Sequence, residues 1–333
     1  MKDYVSMCKK IGSLTDYVQG GGGNASCKHG DNKMAIKASG FTIGDITETA
    51  GYVDVDYIKI REYHTDVLPE EMEKKEKEST SFTLSCVFSS GGTALRPSVE
   101  TGFHSIMKKY VMHTHPVYTN IITCAEGGKE LAEKIFQDID FVWVPYINPG
   151  FSLTIAIKEA IMAYEQENGV FPRVIFMENH GLVTTDDDAE ECANLHIQIN
   201  EAIKKHLGLK DFYADLTMIE DEGRFICSAP FVKAFFEKYS INTMEENALY
   251  PDQLVYLNAG MHDGKISFDD GKVIINAAKK EAAAMLETFA AFAYVIDGIY
   301  SSGLKISAMD AAATGFINNW ESEKYRKEMA KKG

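Results

Sequence analysis

Apolar and polar positions along this chain switch repeatedly between a helical and a strand-like period. Residues 4–18, roughly, form an amphipathic stretch near the start. Met34-Ala35-Ile36-Lys37 reads as strand-like. Residues 51–60 alternate, with Val53, Val55 and Tyr57 set against Asp54, Asp56 and Ile58, and predict a strand. Residues 69–80 are dominated by Glu and Lys and predict a solvated helical excursion with no chemistry assigned to it. Tyr110-Val111-Met112 leads as a strand into His113-Thr114-His115, and Pro116 closes it. Helices are predicted over 117–124 and 128–136, and a strand over 141–146. Pro149-Gly150 then breaks the chain before an amphipathic helix over 152–168. Residues 174–177 predict a buried strand that delivers Asn179-His180-Gly181 to its end, and 183–185 continue as another. Asp186, Asp187 and Asp188 then cap a long helix running through Leu207. Three adjacent aspartates do not point together, so capping is preferred over metal binding. His196 and His206 on that helix read as packing or surface residues.

Beyond about residue 212 the pattern thins. A helix is predicted over 230–239, a hairpin from 266–268 and 273–275 around Asp269-Asp270-Gly271, and a long Ala- and Phe-rich helix over 277–299. A last helix over 308–320 precedes a basic tail. We therefore divide the chain into a catalytic region, 1–210, and a C-terminal extension of mixed helix and hairpin, 211–333, whose apolar long helix favours packing over catalysis. No Gly-x-Gly-x-x-Gly pattern follows residue 210, so nicotinamide chemistry is not expected there.

Chemistry concentrates in the first region. On a strand, positions i and i+2 share a face, so His113 and His115, roughly 7 Å apart at their bases, can converge on one ion. His180, brought in by the fold, would complete a three-imidazole set and leave a tetrahedral ion one open position. Glu100 lies thirteen positions before His113, with Ser98 as the expected N-cap of a short helix carrying it. A carboxylate there can serve as general base or fill the open position until substrate arrives. His104, one turn on, is expected to support the helix or the site. Gly20 to Gly23 with Asn24 and Ser26, and the turn Ala38-Ser39-Gly40, offer backbone N–H groups and side-chain donors to an anion. Neither has the spacing of a nucleotide triphosphate loop.

Gly-Asn-x-Ser at 23–26, Ser39-Gly40, Pro-Ser-x-Glu at 97–100, His-Thr-His-Pro at 113–116 and Asn-His-Gly at 179–181 occur in the order seen in class II aldolase/adducin domains, which this chain resembles over about residues 1–260. It is also similar to L-fuculose-1-phosphate aldolases. Arg96 to His104, Trp143 to Tyr146, Pro149-Gly150-Phe151 and Tyr250 to Gln253 look more like the aldolase half of bifunctional rhamnulose-1-phosphate aldolase/alcohol dehydrogenases. The resemblance implies an α/β fold of three α/β/α layers around a central, mostly antiparallel sheet, with a mainly helical C-terminal extension. It implies that His113, His115 and His180 bind zinc or another divalent transition metal. Glu100 would be the catalytic acid/base, and Asn24, Ser39, Gly40 and Ser98 would hold a substrate phosphate. One departure stands out: fuculose-type aldolases have a serine where this chain has Val99. The relatives are typically tetramers with sites near subunit boundaries, so a homo-oligomer is expected.

Composition is compatible with that reading. The chain has 333 residues, is 45% hydrophobic and carries a net charge of −15. That charge argues against nucleic acid and anionic membrane as partners. A phosphorylated small molecule needs local compensation, for which Lys37, Arg96 and the glycine turns are the sources. No apolar run approaches twenty residues, the start does not resemble a signal peptide, and the six cysteines lack Cys-x-x-Cys pairing. A cytoplasmic protein with reduced, buried thiols is expected. The expected reaction is cleavage of a phosphorylated ketose to dihydroxyacetone phosphate and an aldehyde through a metal-stabilised enediolate. No lysine in the motif block invites imine chemistry. Tyr146 is the candidate to serve the aldehyde oxygen. The alternatives are a sugar-phosphate 4-epimerase, dehydratase or decarboxylase, and a non-catalytic adducin-like module. The histidine set disfavours the last of these, and resemblance gives epimerases an aspartate in place of Glu100.

Overall fold

A computed structural model describes residues 1–88, 95–212 and 214–319 of the chain. The basic tail and the end of the last predicted helix lie outside the described residues. The alternating apolar runs assemble into a seven-stranded sheet in the order β3-β2-β1-β4-β7-β6-β5. Its strands are β1 Asn24–His29, β2 Lys33–Lys37, β3 Tyr52–Asp56, β4 Tyr110–Thr114, β5 Phe141–Val144, β6 Val174–Met177 and β7 Gly181–Asp186. Every neighbouring pair is antiparallel except β5 and β6. A helix, Phe151–Asn168, makes the crossover that a parallel pair requires.

The strand period of two sorts side chains between two helical layers. Met112 and Leu182 point to the face covered by helices Lys2–Gly12 and Ala189–His206, where Tyr4, Ile11, Ile199 and Ile203 complete the main core. Val111, Ile175 and Val183 point to the other face, against Phe103 of helix Thr101–Ile106 and Leu153 and Ile157 of helix Phe151–Asn168. Fully burying a side chain such as Phe103 contributes roughly 2–3 kcal/mol. By the same alternation His113 falls on the Val111 face, beneath Phe103, whose ring meets it edge-on at 5.7 Å.

Two local expectations are corrected. The alternation over 51–60 stops being a strand at Asp56, whose carboxylate accepts from the Lys59 N–H and caps the helix Tyr57–Tyr63. Over four residues a strand and a helix start look alike, and the cap decides between them. Ser98 is not the N-cap of the next helix. The helix Thr101–Ile106 starts immediately after Glu100, and Ser98 instead turns the chain by accepting from the Glu100 and Thr101 N–H groups. Asp188 does cap its helix, accepting from Glu190 and Glu191.

The C-terminal residues form a second, four-stranded sheet in the order β10-β11-β9-β8, from β8 Ile219–Asp221, β9 Arg224–Cys227, β10 Ile266–Asp269 and β11 Lys272–Ile275. The β10–β11 hairpin matches expectation. The first two strands are not predicted by the sequence pattern, because β8 is exposed at every position and carries no apolar alternation. The helix Lys279–Ser301 is long and apolar enough by composition to cross a bilayer, but most of that stretch is buried inside the protein. Phe289, Phe292, Val295 and Ile296 belong to the same core as Tyr118 and Ile121. All six cysteines are buried and free.

Candidate metal centre

Strand register assembles the centre. Asn24 on β1 is the direct partner of His113 on β4, and His113 faces Val183 on β7. His115 follows two residues later on the same face, just past the end of β4. His180 sits in the β6–β7 turn, where Asn179 takes a left-handed conformation, φ 50°, that asparagine tolerates better than most residues. The Asn179 amide holds that turn by donating to the carbonyls of Leu249, at 2.9 Å, and Ser307, at 2.7 Å. Gly181 is required by proximity. A Cβ there would lie 2.4 Å from the Thr114 carbonyl and 3.0 Å from the His115 ring.

All three imidazoles are buried, and one nitrogen from each lies within 4.8 Å of the others. Their tautomers follow from their partners. His113 Nδ1 is 3.0 Å from the Leu182 carbonyl, which can only accept, so Nδ1 carries the hydrogen. His115 Nδ1 is 2.5 Å from the Asp252 carboxylate, an acceptor as well. Each ring, when neutral, therefore presents a lone pair at Nε2, and those two nitrogens stand 3.1 Å apart. Two lone pairs at that distance repel unless something positive lies between them. Burial holds the His113 imidazole well below its usual pKa, although the Glu100 carboxylate opposes this, so an extra proton is disfavoured. A tetrahedral ion bound at about 2.0–2.1 Å keeps its nitrogen ligands about 3.3 Å apart, and the spacing of the His113 and His115 nitrogens fits such an ion.

Glu100 faces this cluster and is only 7% exposed. Oε1 is 3.2 Å from His180 Nε2 and Oε2 is 3.5 Å from His113 Nε2. Burial opposes its ionisation, but the facing imidazoles reverse that and keep its pKa well below the usual carboxylate range. Oε2 accepts from the Asn24 amide at 2.6 Å, whereas Oε1 is buried without a hydrogen-bond partner among the described residues. A carboxylate oxygen whose described contact is an ion pair with one imidazole of the cluster suits an incoming proton or ligand. The second Asn24 hydrogen goes to Ser98 Oγ at 3.0 Å, and its carbonyl accepts from His104 Nε2. His104 Nδ1 in turn pairs with Ser26 Oγ at 2.7 Å, and burial drives its pKa down to about 3. His104 thus props Asn24, which props Glu100.

The expected phosphate contacts are split by the structure. Ser39 and Ser98 line a cleft of about 700 Å³ together with Arg96 and His64. The helix Met72–Ser85, expected to be merely solvated, supplies a wall of that cleft through Glu76, Ser79 and Thr80. Gly40 lines a different cleft, of about 500 Å³, with Gly20, Gly21, Lys280 and Glu287. There the Gly20 N–H is taken by the chain's own Glu287 carboxylate at 2.6 Å. Lys37 is buried, and its amine reaches the carbonyls of Gly21 and Phe41, so it braces the two glycine turns. Tyr146 packs against the apolar cluster that includes Leu254 and Val255, and its hydroxyl donates to Asn148 at 3.1 Å; none of its described contacts is with the three imidazoles. The residue that sequence reasoning missed is Asp252. The Tyr250–Gln253 run marks it as part of a motif, but 137 positions separate it from His115, and no local pattern announces the contact.

Residues 2–207 match the family described as class II aldolase and adducin N-terminal domain. A relative from Bacillus subtilis strain 168, named an uncharacterized oxidoreductase, YuxG, is 30% identical over 217 residues, 62% of this chain and 29% of that protein. The chain therefore spans less than a third of the length of that relative. The N-terminal class II aldolase domain of a conserved Thermoplasma acidophilum protein aligns over 62% of this chain and 92% of its own, with 24% identity and a TM-score of 0.51. The L-fuculose-1-phosphate aldolase of Thermus thermophilus aligns over 62% and 92%, with 13% identity and a TM-score of 0.40.

Proposed function

The chain belongs to the class II aldolase and adducin family, and on that premise we propose that it is a metal-dependent aldolase. It would reversibly cleave a phosphorylated ketose to dihydroxyacetone phosphate and a small aldehyde. One observation carries the reading: the lone-pair nitrogens of His113 and His115 converge 3.1 Å apart beside His180 and the Glu100 carboxylate, whose Oε1 lies 3.2 Å from His180 Nε2. A divalent cation held there would supply Lewis-acid polarisation of the ketose. His113, His115 and His180 are the residues that would hold it.

Glu100 is the proposed acid/base. In cleavage it would take the proton of the hydroxyl that becomes the aldehyde oxygen and, once the C–C bond has broken, return a proton to the carbon next to the carbonyl; in synthesis it would take that carbon's proton and give it back to the new hydroxyl. Asn24 keeps Oε2 occupied, which fixes the rotation of the carboxylate. Ser39 and Ser98, with Arg96, are the proposed holders of the substrate phosphate, in the cleft beside the turn that carries Glu100. Gly40 is a further proposed phosphate contact through its backbone, although it lines a separate cleft in which the Gly20 N–H is already taken by Glu287. Residues 1–210 would form the catalytic region and 211–333 a C-terminal extension.

The test is direct. Metal-loaded protein is incubated with a panel of ketose phosphates, and dihydroxyacetone phosphate and the C4 epimer of each substrate are both quantified. Release of dihydroxyacetone phosphate from at least one substrate supports the proposal. Epimer without cleavage, or no reaction across the panel, contradicts it.

A further inference from the structure

The match to the family ends at residue 207, yet one contact on the three-imidazole cluster comes from beyond it. Asp252 is fully buried, and its Oδ2 lies 2.5 Å from Nδ1 of His115, which is itself only 4% exposed. The carboxylate is not there by accident of packing. Gly22, in the glycine loop, closes over it so tightly that a Cβ at that position would fall 2.1 Å from Asp252 Oδ2. The chain on either side is anchored. Gln253 ties the Leu249 N–H to the carbonyls of Met244 and Asn247, and the helical run widens into π turns over Gln253–Asn258. The Leu249 carbonyl then receives the Asn179 amide, next to His180. The extension thus touches the neighbourhood of two of the three imidazoles.

We infer that Asp252 is a positioning residue of the metal centre: its carboxylate fixes His115 in the Nδ1–H tautomer and aims Nε2 at the ion. A carboxylate behind a ligating imidazole orients the ring and raises its basicity, and removing such a partner costs 10–100-fold in metal affinity. The extension is on this account part of the metal centre as well as a cover for the core. The inference rests on the proposed metal site, and its test separates the two.

Zinc affinity of the full chain is measured by competition with a chromogenic chelator for the wild type, D252N, D252A and H180A. The His115 ring nitrogens of the metal-free protein are followed by ¹⁵N NMR. D252N keeps the size of the side chain and guards against failure of D252A to fold. The expected result is a zinc Kd raised about 10–100-fold in D252A and by a smaller factor in D252N. The His115 signals should move from a single Nδ1–H tautomer toward a mixture in D252A, a change that general loosening of the segment would not produce. Zinc affinity within twofold of wild type in both variants, with His115 still the Nδ1–H tautomer, overturns the inference. If H180A also retains wild-type affinity, the metal site itself is refuted; if H180A loses zinc while D252A and D252N keep it, only the role of Asp252 falls.

Discussion

The amide nitrogen of Asn24 stands 2.6 Å from Oε2 of Glu100, with the second amide hydrogen committed to Ser98. Resemblance assigns Asn24 to a substrate phosphate, but in this structure both of its donors serve the chain. Asn24→Ala should therefore act mainly on kcat, by about 10–100-fold, the worth of one hydrogen bond to a charged group. Ser39→Ala, in the cleft with Arg96, should instead raise KM for a phosphorylated substrate with little change in kcat. Steady-state kinetics of the two variants on one substrate check this, and the reverse split would return Asn24 to the phosphate.

Metal content follows from the imidazoles. The purified wild type should carry about one zinc or zinc-like ion per chain, and alanine at His113, His115 or His180 should lower its occupancy severely. Elemental analysis after dialysis against a weak chelator reads this out. Full occupancy in all three variants would remove the site.

Stability should fall on mild acidification. His196 is buried between Thr114 and Thr184, at 2.7 and 2.9 Å, and burial lowers its pKa to about 3. Burial likewise lowers His64 to about 4, although its hydrogen bond to the Ile60 carbonyl opposes the shift. Both rings take up a proton near pH 6.5 in the unfolded chain but only near those lower values in the folded one. The unfolded state thus binds more protons between these limits. The stabilisation is complete above pH 6.5 and is lost as pH falls toward 4 and 3. At pH 5 the loss is about 2 kcal/mol per histidine. Urea midpoints at pH 7 and pH 5 measure it, and His196→Gln should flatten the slope. Equal midpoints would contradict it.

Gly22→Ala should be costly although it adds one methyl group. The new Cβ would meet Asp252 Oδ2 at 2.1 Å and the Gln19 carbonyl at 3.1 Å, so loop or carboxylate must shift. A loss of about 1–3 kcal/mol is expected, the usual range for overpacking. Urea denaturation checks it, and an unchanged midpoint would show that the loop yields freely.

Much of the centre was legible in the sequence because it is built from short-range rules. The period of two puts His113 and His115 on one face, and the strand before Asn179 delivers His180 to a turn. The separate strands and helices follow from the same periods, whereas their layering around one sheet was implied by the family resemblance. What was not legible depends on chain reversals and on long-range contact. Helix Tyr57–Tyr63 was hidden because its first turn continues a strand-like alternation. Strand β8 was hidden because it buries nothing. The wall that Glu76 and Thr80 give to a cleft was hidden by the charge of their helix, whose sequence shows only its solvated face. Asp252 could be recognised as part of a motif, but its partner could not.

Glu100→Gln tests the central claim most directly. The change keeps the shape of the side chain and removes its charge and basicity, while three imidazoles remain to hold the ion. The measurement is the rate of dihydroxyacetone phosphate release from one cleaved ketose phosphate by zinc-loaded wild type and variant, at matched metal content. The account predicts a rate lower by about 10²–10⁴-fold, the usual worth of a positioned proton-transfer group, with zinc content and melting temperature close to wild type. A variant that turns over as fast as wild type would contradict it, as would one whose only defect is loss of the ion.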